Sequence, residues 1–423
     1  MTSPHQQAQA LDAVDGLARY RQQFALPPGA GGEPAIYLCG HSLGLMPLAA
    51  RRCVQQELDD WARLGVLGHH EAERAWIGYA EQLAPSLARI TGARETEVVA
   101  MNSLSVNLHL LMASFYRPSA GRRCIVIEAG AFPSDRHAVL SQIQWHGLGE
   151  DSLIELLPAT GHEDVEEAQL EQLLAERGEE IALILWPGVQ YRSGRAFDLA
   201  RIAAAARRAG AHCGFDLAHS IGNVPLELHD ADADFAVWCS YKYLNAGPGA
   251  LGGAFVHSRH QRSAMQGLAG WWGHDPATRF QMGPQFQPAP GAAGWQVSNP
   301  PVLSAAPLLA SLPLFDAAGM PALRAKGLAM TELIFEQIES RFASRIQPLT
   351  PRAAARRGNQ LSLRLKAGRA AGRSVFEALG RASVIADWRE PDILRVAVAP
   401  LYNSYGDVAR FCDALAAALE SAA

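Results

Sequence analysis

The chain has 423 residues, 49% of them hydrophobic and 19% charged, with a net charge of −5. That composition excludes a disordered or collagen-like polymer and allows a large core, expected as two domains. The near balance of 37 basic and 42 acidic residues, with no Lys/Arg-rich run, argues against nucleic acid or a membrane surface as partner.

The six cysteines form no CxxC pair and read as reduced thiols rather than a disulfide framework. There is no basic-then-apolar leader and no apolar run near the ~18 residues that span a bilayer. A cytoplasmic enzyme or binding protein is the expectation.

Residues 1–26 read as a polar start running into an amphipathic helix, and 36–39 as a short strand. That strand feeds Gly40-His41-Ser42-Leu43-Gly44, a small-residue turn. Helices are expected at 48–63, 73–91 and 95–99. Asn102-Ser103-Leu104-Ser105 then opens an apolar helix at 108–115, either as a phosphate cup built on Leu104 and Ser105 or as plain N-capping. A strand at 124–128 ends in Phe132-Pro133-Ser134-Asp135, where Phe132 would stack on a flat cofactor and Asp135 would meet its polar edge; the alternative is a structural turn. Further helices are expected at 135–144, 164–177 and 198–209, and strands at 181–186, 213–216, 221–224, 233–239 and 254–257.

Alternating strands and helices over about 93–257 argue for a mostly parallel α/β sheet, in which ligands sit at the carboxyl ends of the strands. Phe132/Asp135, Asp216/His219 and Tyr241/Lys242 all follow strand ends. Lys242 comes directly after the apolar run 235–239, among hydroxyls and glycines. A desolvated lysine is a Schiff-base nucleophile; the bland alternative is a strand-ending lysine whose head reaches water. Asp216, 26 residues upstream, favours the first reading. An aspartate facing a pyridine nitrogen and a lysine forming the imine suit pyridoxal phosphate.

Gly270-Trp271-Trp272-Gly273-His274 and the following Gly/Pro-rich stretch read as an ordered functional loop, with a core or subunit-contact anchor as the alternative for either tryptophan. Helices at 303–318 and 321–342 lead to a small C-terminal domain with strands at 361–365, 383–386 and 393–398 and helices at 373–379 and 405–421. Arg395, inside an apolar strand, needs an anion: a structural Asp/Glu or a substrate carboxylate. His69-His70 do not make a metal site, since adjacent side chains diverge and no third ligand stands at suitable spacing.

Nine segments in order, YLCGHSLGL (37–45), NSLSVNLHLLM (102–112), FPSD (132–135), PGVQY (187–191), GFDLAHSIGN (214–223), WCSYKYLNAG (238–247), GWWGH (270–274), VSNPP (297–301) and RVAVAPLYNS (395–404), resemble kynureninase. The resemblance implies an aspartate aminotransferase-like pyridoxal-phosphate enzyme of fold type I, in the aminotransferase class V superfamily. It would be a homodimer with a large mostly parallel-sheet domain (51–302), a smaller α+β C-terminal domain (303–423) and an N-terminal segment (1–50) packing on the latter. The implied reaction is hydrolysis of L-kynurenine or L-3-hydroxykynurenine to anthranilate or its 3-hydroxy form plus L-alanine, in tryptophan catabolism or NAD biosynthesis.

By motif, Lys242 would bond the cofactor, Asp216 face its pyridine nitrogen and Phe132 stack on its ring, with Asp135 near it. Leu104, Ser105, His219 and Tyr241 would complete the contacts, joined at the dimer interface by Trp271 and Asn299. Tyr241 is the candidate proton donor. Arg395 would hold the substrate carboxylate, and Ser42, His69 and Asn299 would lie near the aryl ring. Three positions depart from the family pattern: His41 stands for the usual Asn, Ser105 for a frequent Thr, and Pro187 for a Ser or Thr. The alternative is a cysteine desulfurase-like lyase, which needs a reactive cysteine on a mobile loop; a non-catalytic relative would have lost Lys242 or Asp216.

Overall fold

A computed structural model describes residues 3–260 and 267–422. The strands, in chain order, are β1 Ile36–Tyr37, β2 Val98–Ala100, β3 Cys124–Glu128, β4 Leu153–Leu156, β5 Ile181–Pro187, β6 His212–Asp216, β7 Phe235–Cys239, β8 Gly252–Val256, β9 Ile346–Pro348, β10 Gln360–Leu365, β11 Val384–Ile385, β12 Asp387–Arg389 and β13 Ile393–Ala397.

Strands β2 to β8 form one sheet in the order β2-β8-β7-β6-β5-β3-β4. The pairs from β7 through β6, β5 and β3 to β4 are parallel, while β8 runs antiparallel to both its neighbours. Strands β3, β6 and β7 are wholly or nearly wholly buried, as expected for continuous apolar runs with helices on both faces. The expected mostly parallel α/β architecture is therefore present. Because β3, β5, β6 and β7 share a direction, Glu128, Pro187, Asp216 and Cys239 end on one edge, and the loops after them converge.

The C-terminal elements build a second, four-stranded sheet in the order β12-β13-β10-β9, antiparallel throughout. Its core holds Leu361, Leu363, Leu394, Val396 and Phe411, together with Ala8, Ile36 and Leu38 from the N-terminal segment. Strand β1 pairs in parallel with β11, and Cys39 bridges to Ala397. The turn 40–44 is thereby delivered to the junction between the two sheets. Gly44 N donates to the Tyr241 carbonyl at 2.8 Å. A Cβ on Gly44 would stand 2.3 Å from the Lys242 carbonyl oxygen, so only glycine lets this turn pack on the lysine loop.

Several local expectations fail for identifiable reasons. The helix expected over 1–26 stops at Ala13 and resumes as a 3-10 turn, Ala18–Gln23. Only Ala84–Thr91 of the expected helix 73–91 is α-helical, starting where Pro85 takes a first-turn position. Residues 95–99 are a 3-10 turn and the start of β2, a three-residue strand too short to show alternation. Ile221 and Val224 are buried, but in a tight turn through Gly222 (φ 71°), not a strand. Strands β4, β9 and β12 were not expected. No single helix among the described residues is long and apolar enough to cross a membrane.

Candidate active site

The converging loops enclose a cavity of ≈ 90 Å³. Leu104, Ser105, Phe132, Asp135, Asp216, His219, Tyr241 and Lys242 all line it, as do Glu128, Ser134, Pro187 and Tyr191. Eight residues expected at a cofactor, spread over 139 positions of sequence (242 minus 104 plus 1), thus meet in one place.

Two helices point their N-termini at this cavity. The helix Leu104–Phe115 starts with Ser103 as N-cap, whose side chain makes no cap hydrogen bond. The helix Pro133–Trp145 starts behind Phe132, also without a side-chain cap. Their first-turn N–H groups, unsatisfied within the helices, form a positive end for an anion. Ser105 Oγ and Ser134 Oγ, 2.8 Å apart, tie the two N-termini together. Capping is not what Ser103 and Ser105 do here.

Opposite stands a pair of carboxyls. Asp135 is buried, and its pKa is raised well above the usual carboxylate range, first by burial and then by the Asp216 charge beside it. Asp216 accepts the Ala218 N–H at 2.7 Å. Burial and the neighbouring carboxyl both favour the protonated form of Asp135. Asp135 Oδ1 and His219 Nδ1 are buried without a hydrogen-bond partner among the described residues. A flat aromatic base with a protonated ring nitrogen and a phenolic oxygen would satisfy groups of this kind. A phosphate fits the helix N-termini. The residues present fit pyridoxal phosphate.

Lys242 Nζ lies 3.1 Å from His219 Nε2 and 6.0 Å from the centre of the Phe132 ring. Burial, and then the Lys242 charge, push the His219 pKa well below its ordinary value, so this imidazole is neutral and can accept a hydrogen bond from the amine. Burial also raises the Tyr241 phenol, with Cys239 adding to the effect. Tyr241 therefore keeps its proton at neutral pH.

The remaining expected residues lie elsewhere. His69 and Asn299 line a second cavity of ≈ 430 Å³ with Glu57, Trp76 and Trp272. Trp271 is 47% exposed, and its indole N–H donates to the Arg279 carbonyl at 3.1 Å. Ser42 is exposed beside Cys39. Arg395 is buried in β13 opposite Asp387 of β12, so one of the two alternatives left open for it, a structural acid, is present. Its guanidinium also donates to the Tyr191 carbonyl, and the Tyr191 ring stands edge-on to Phe132, 5.2 Å away. Arg395 is joined to the first cavity through that loop.

Sequence reasoning passed over Glu128, Ser134 and Asp387. Glu128, like Asp216, is an acidic residue at the end of a buried strand, which was a usable signal. It is 2% exposed, and burial followed by Asp164 pushes its pKa up to about 8.

A parallel-stranded sheet with a half-buried lysine and a buried acid at its strand ends, and two helix N-termini for a phosphate, marks a pyridoxal-phosphate enzyme. Solved structures agree on the fold. A C-DES mutant with glycine covalently linked to its PLP cofactor superposes with a TM-score of 0.76 at 18% identity, covering 93% of this chain and 99% of that one. The cysteine desulfurase CsdA from Escherichia coli gives 0.76 at 18% identity, covering 96% and 99%. Sequence relatives are far more similar. Kynureninases from Xanthomonas campestris pv. campestris are 54% identical over 98% of this chain and 96% of their own length. One from Stenotrophomonas maltophilia is 53% identical over 96% of each chain. The family model for the kynureninase C-terminal domain matches residues 323–415. The chain belongs to the kynureninase family. At 18% identity the desulfurase likeness is one of fold. The half-buried Cys39 thiol is pushed up to about 11 by burial, with Asp387 next, the opposite of a reactive thiolate.

Proposed function

We infer that the cavity around Lys242 carries out the family's reaction, hydrolysis of L-kynurenine or L-3-hydroxykynurenine to the corresponding anthranilate and L-alanine. The observation that carries this is the meeting of Lys242, Asp216, Phe132 and two helix N-termini in one cavity of a chain 54% identical to kynureninases.

Bound pyridoxal phosphate supplies an electron sink for the bonds broken at the substrate's Cα and Cβ. The chain's own residues do the rest. The Asp216 carboxylate would face the ring nitrogen, and Phe132 would stack on the ring. Leu104 and Ser105 would hold the phosphate at the helix N-terminus and Tyr241 would donate to it, while Pro187 offers neither a hydroxyl nor an N–H. Lys242 would move the proton at Cα, and neutral His219 would orient the lysine amine by accepting its hydrogen bond. Water adds at the carbonyl beside the aryl ring, the Cβ–Cγ bond breaks, and Tyr241, the protonated group next to the lysine, gives a proton in these later steps. Arg395 holds the α-carboxylate.

His69, Asn299 and Ser42 form the aryl end, with Trp271 and Asn299 reaching the site across a homodimer interface. The exposed apolar residues Trp61, Trp271, Phe280 and Leu303 around the second cavity support burial by a second copy. His69 and Asn299 can each hydrogen-bond a phenolic oxygen, which favours the 3-hydroxylated substrate. We place the enzyme in the cytoplasm, in tryptophan breakdown or NAD biosynthesis.

Side-by-side steady-state assays with added cofactor on the two substrates test this reading. A kcat/KM about tenfold or more higher for the hydroxylated substrate supports the roles of His69 and Asn299. A ratio near one removes those roles, and no aryl product from either substrate removes the whole reading.

A further inference from the structure

Strands β12 and β13 pair antiparallel with Asp387 directly opposite Arg395. Directly opposed side chains share a face of the sheet, so the carboxylate is fixed beside the guanidinium by register. Arg395 Nε donates to Asp387 Oδ2 at 2.5 Å, and Nη2 donates to the same oxygen. Nη1 donates to the Tyr191 carbonyl. A guanidinium has five N–H groups. Three are used, and the two left lie one on each terminal nitrogen. Such a pair can grip the two oxygens of one carboxylate side by side.

Arg395 is 1% exposed, so its planar head does not swing freely in solvent. Asp387 is fixed in turn. Its Oδ2 also accepts from Arg389 Nε at 3.1 Å, and His41 Nε2 stands 3.6 Å away. His41 is fully buried, on the turn that packs against the lysine loop. The cluster holds two guanidiniums against one carboxylate, leaving a net positive charge for an incoming anion.

We propose that Asp387 is the positioning residue of the substrate-carboxylate site: by holding Nε and Nη2 of Arg395 it turns the remaining N–H pair toward the α-carboxylate of the amino acid. The proposal rests on Arg395 being the carboxylate ligand, as inferred above. Asp387 does not touch substrate; it acts through Arg395.

Simple charge counting and positioning predict opposite signs. Asp387→Asn removes a negative charge from the cluster, which by attraction alone would tighten carboxylate binding. Positioning predicts that the holoenzyme's KM for kynurenine rises about tenfold or more while kcat changes by less than about threefold. Asp387→Glu keeps the charge one methylene out of place, so its KM rises less. The amine that lacks the α-carboxylate, with binding read as a change in the cofactor's visible absorption, binds Asp387→Asn as well as the parent enzyme; a merely structural defect would weaken both ligands. An unchanged or lower KM in Asp387→Asn, or equal weakening of the amine, overturns the proposal. If Asp387→Asn does not fold, Asp387→Glu decides it in the same way. Arg395→Gln is the control: if it leaves the kynurenine KM unchanged, the arginine assignment itself fails, whatever the Asp387 variants show.

Discussion

Lys242 Nζ and His219 Nε2 stand 3.1 Å apart, the amine facing an imidazole that burial keeps neutral. A neutral imidazole offers the amine a hydrogen-bond acceptor that fixes where Nζ sits. His219→Phe should therefore cut kcat by about a hundredfold while leaving the cofactor bound. Stopped-flow turnover and the visible spectrum of the holoenzyme check both halves.

The two carboxyls at the strand ends should respond unequally. Burial and the Asp216 charge favour the protonated form of Asp135, so Asp135→Asn changes the charge little, and kcat/KM should fall by about tenfold or less. Asp216→Asn removes the carboxylate that would face the cofactor's ring nitrogen, and cofactor-dependent turnover should fall by about a hundredfold or more. Equal losses would remove the division of labour.

Most of this site was legible because it sits where parallel strands end. Lys242, Asp216 and Phe132 each follow an apolar run, and strand direction brings such positions together however far apart they are in sequence. Asp387 was not legible. Its partner is set by the register of β12 against β13, and β12 is a three-residue strand with no alternation to read. The same shortness hid β2. The run 221–224 misled for the opposite reason: buried apolar residues in a turn look like a strand when only hydrophobicity is counted. His69 and Asn299 line a different cavity from Lys242, and Trp271 is exposed, so strand ends give no signal for them.

Buried Glu57 accepts the Trp76 indole N–H and the Tyr79 hydroxyl, each at 2.8 Å. Tyr79 is fully buried. Tyr79→Phe leaves one carboxylate oxygen without its donor and should cost about 1–3 kcal/mol, read from denaturant unfolding. A loss below that range would mean that water replaces the hydroxyl.

Acid should destabilise the fold in two stages. His41 (about 4) and His219 have pKa values below their unfolded ones because burial disfavours the charged ring. Their contribution is complete above the unfolded value of ~6.5 and is lost as pH falls below it. Asp234 follows at lower pH: burial works upward, but bonds from His212 and His260 outweigh it and hold the carboxyl far below its ordinary value. Its contribution is complete above the unfolded value of ~3.9 and is lost as pH falls through the folded one. Asp234→Asn should flatten the lower stage of a Tm-against-pH curve and leave the upper one. Glu128 has the opposite sign: raised to about 8, it costs stability as pH climbs above its unfolded value. Glu128→Gln should therefore stabilise more at pH ~8 than at pH ~5.

The most direct test of the central claim is turnover of L-kynurenine by Lys242→Ala supplied with pyridoxal phosphate, with the protein's absorption spectrum recorded alongside. The structure predicts no anthranilate and no absorption band from covalently held cofactor, in a protein whose thermal unfolding is otherwise intact. Anthranilate formed at a rate near that of the parent enzyme would contradict the assignment of the reaction to this cavity.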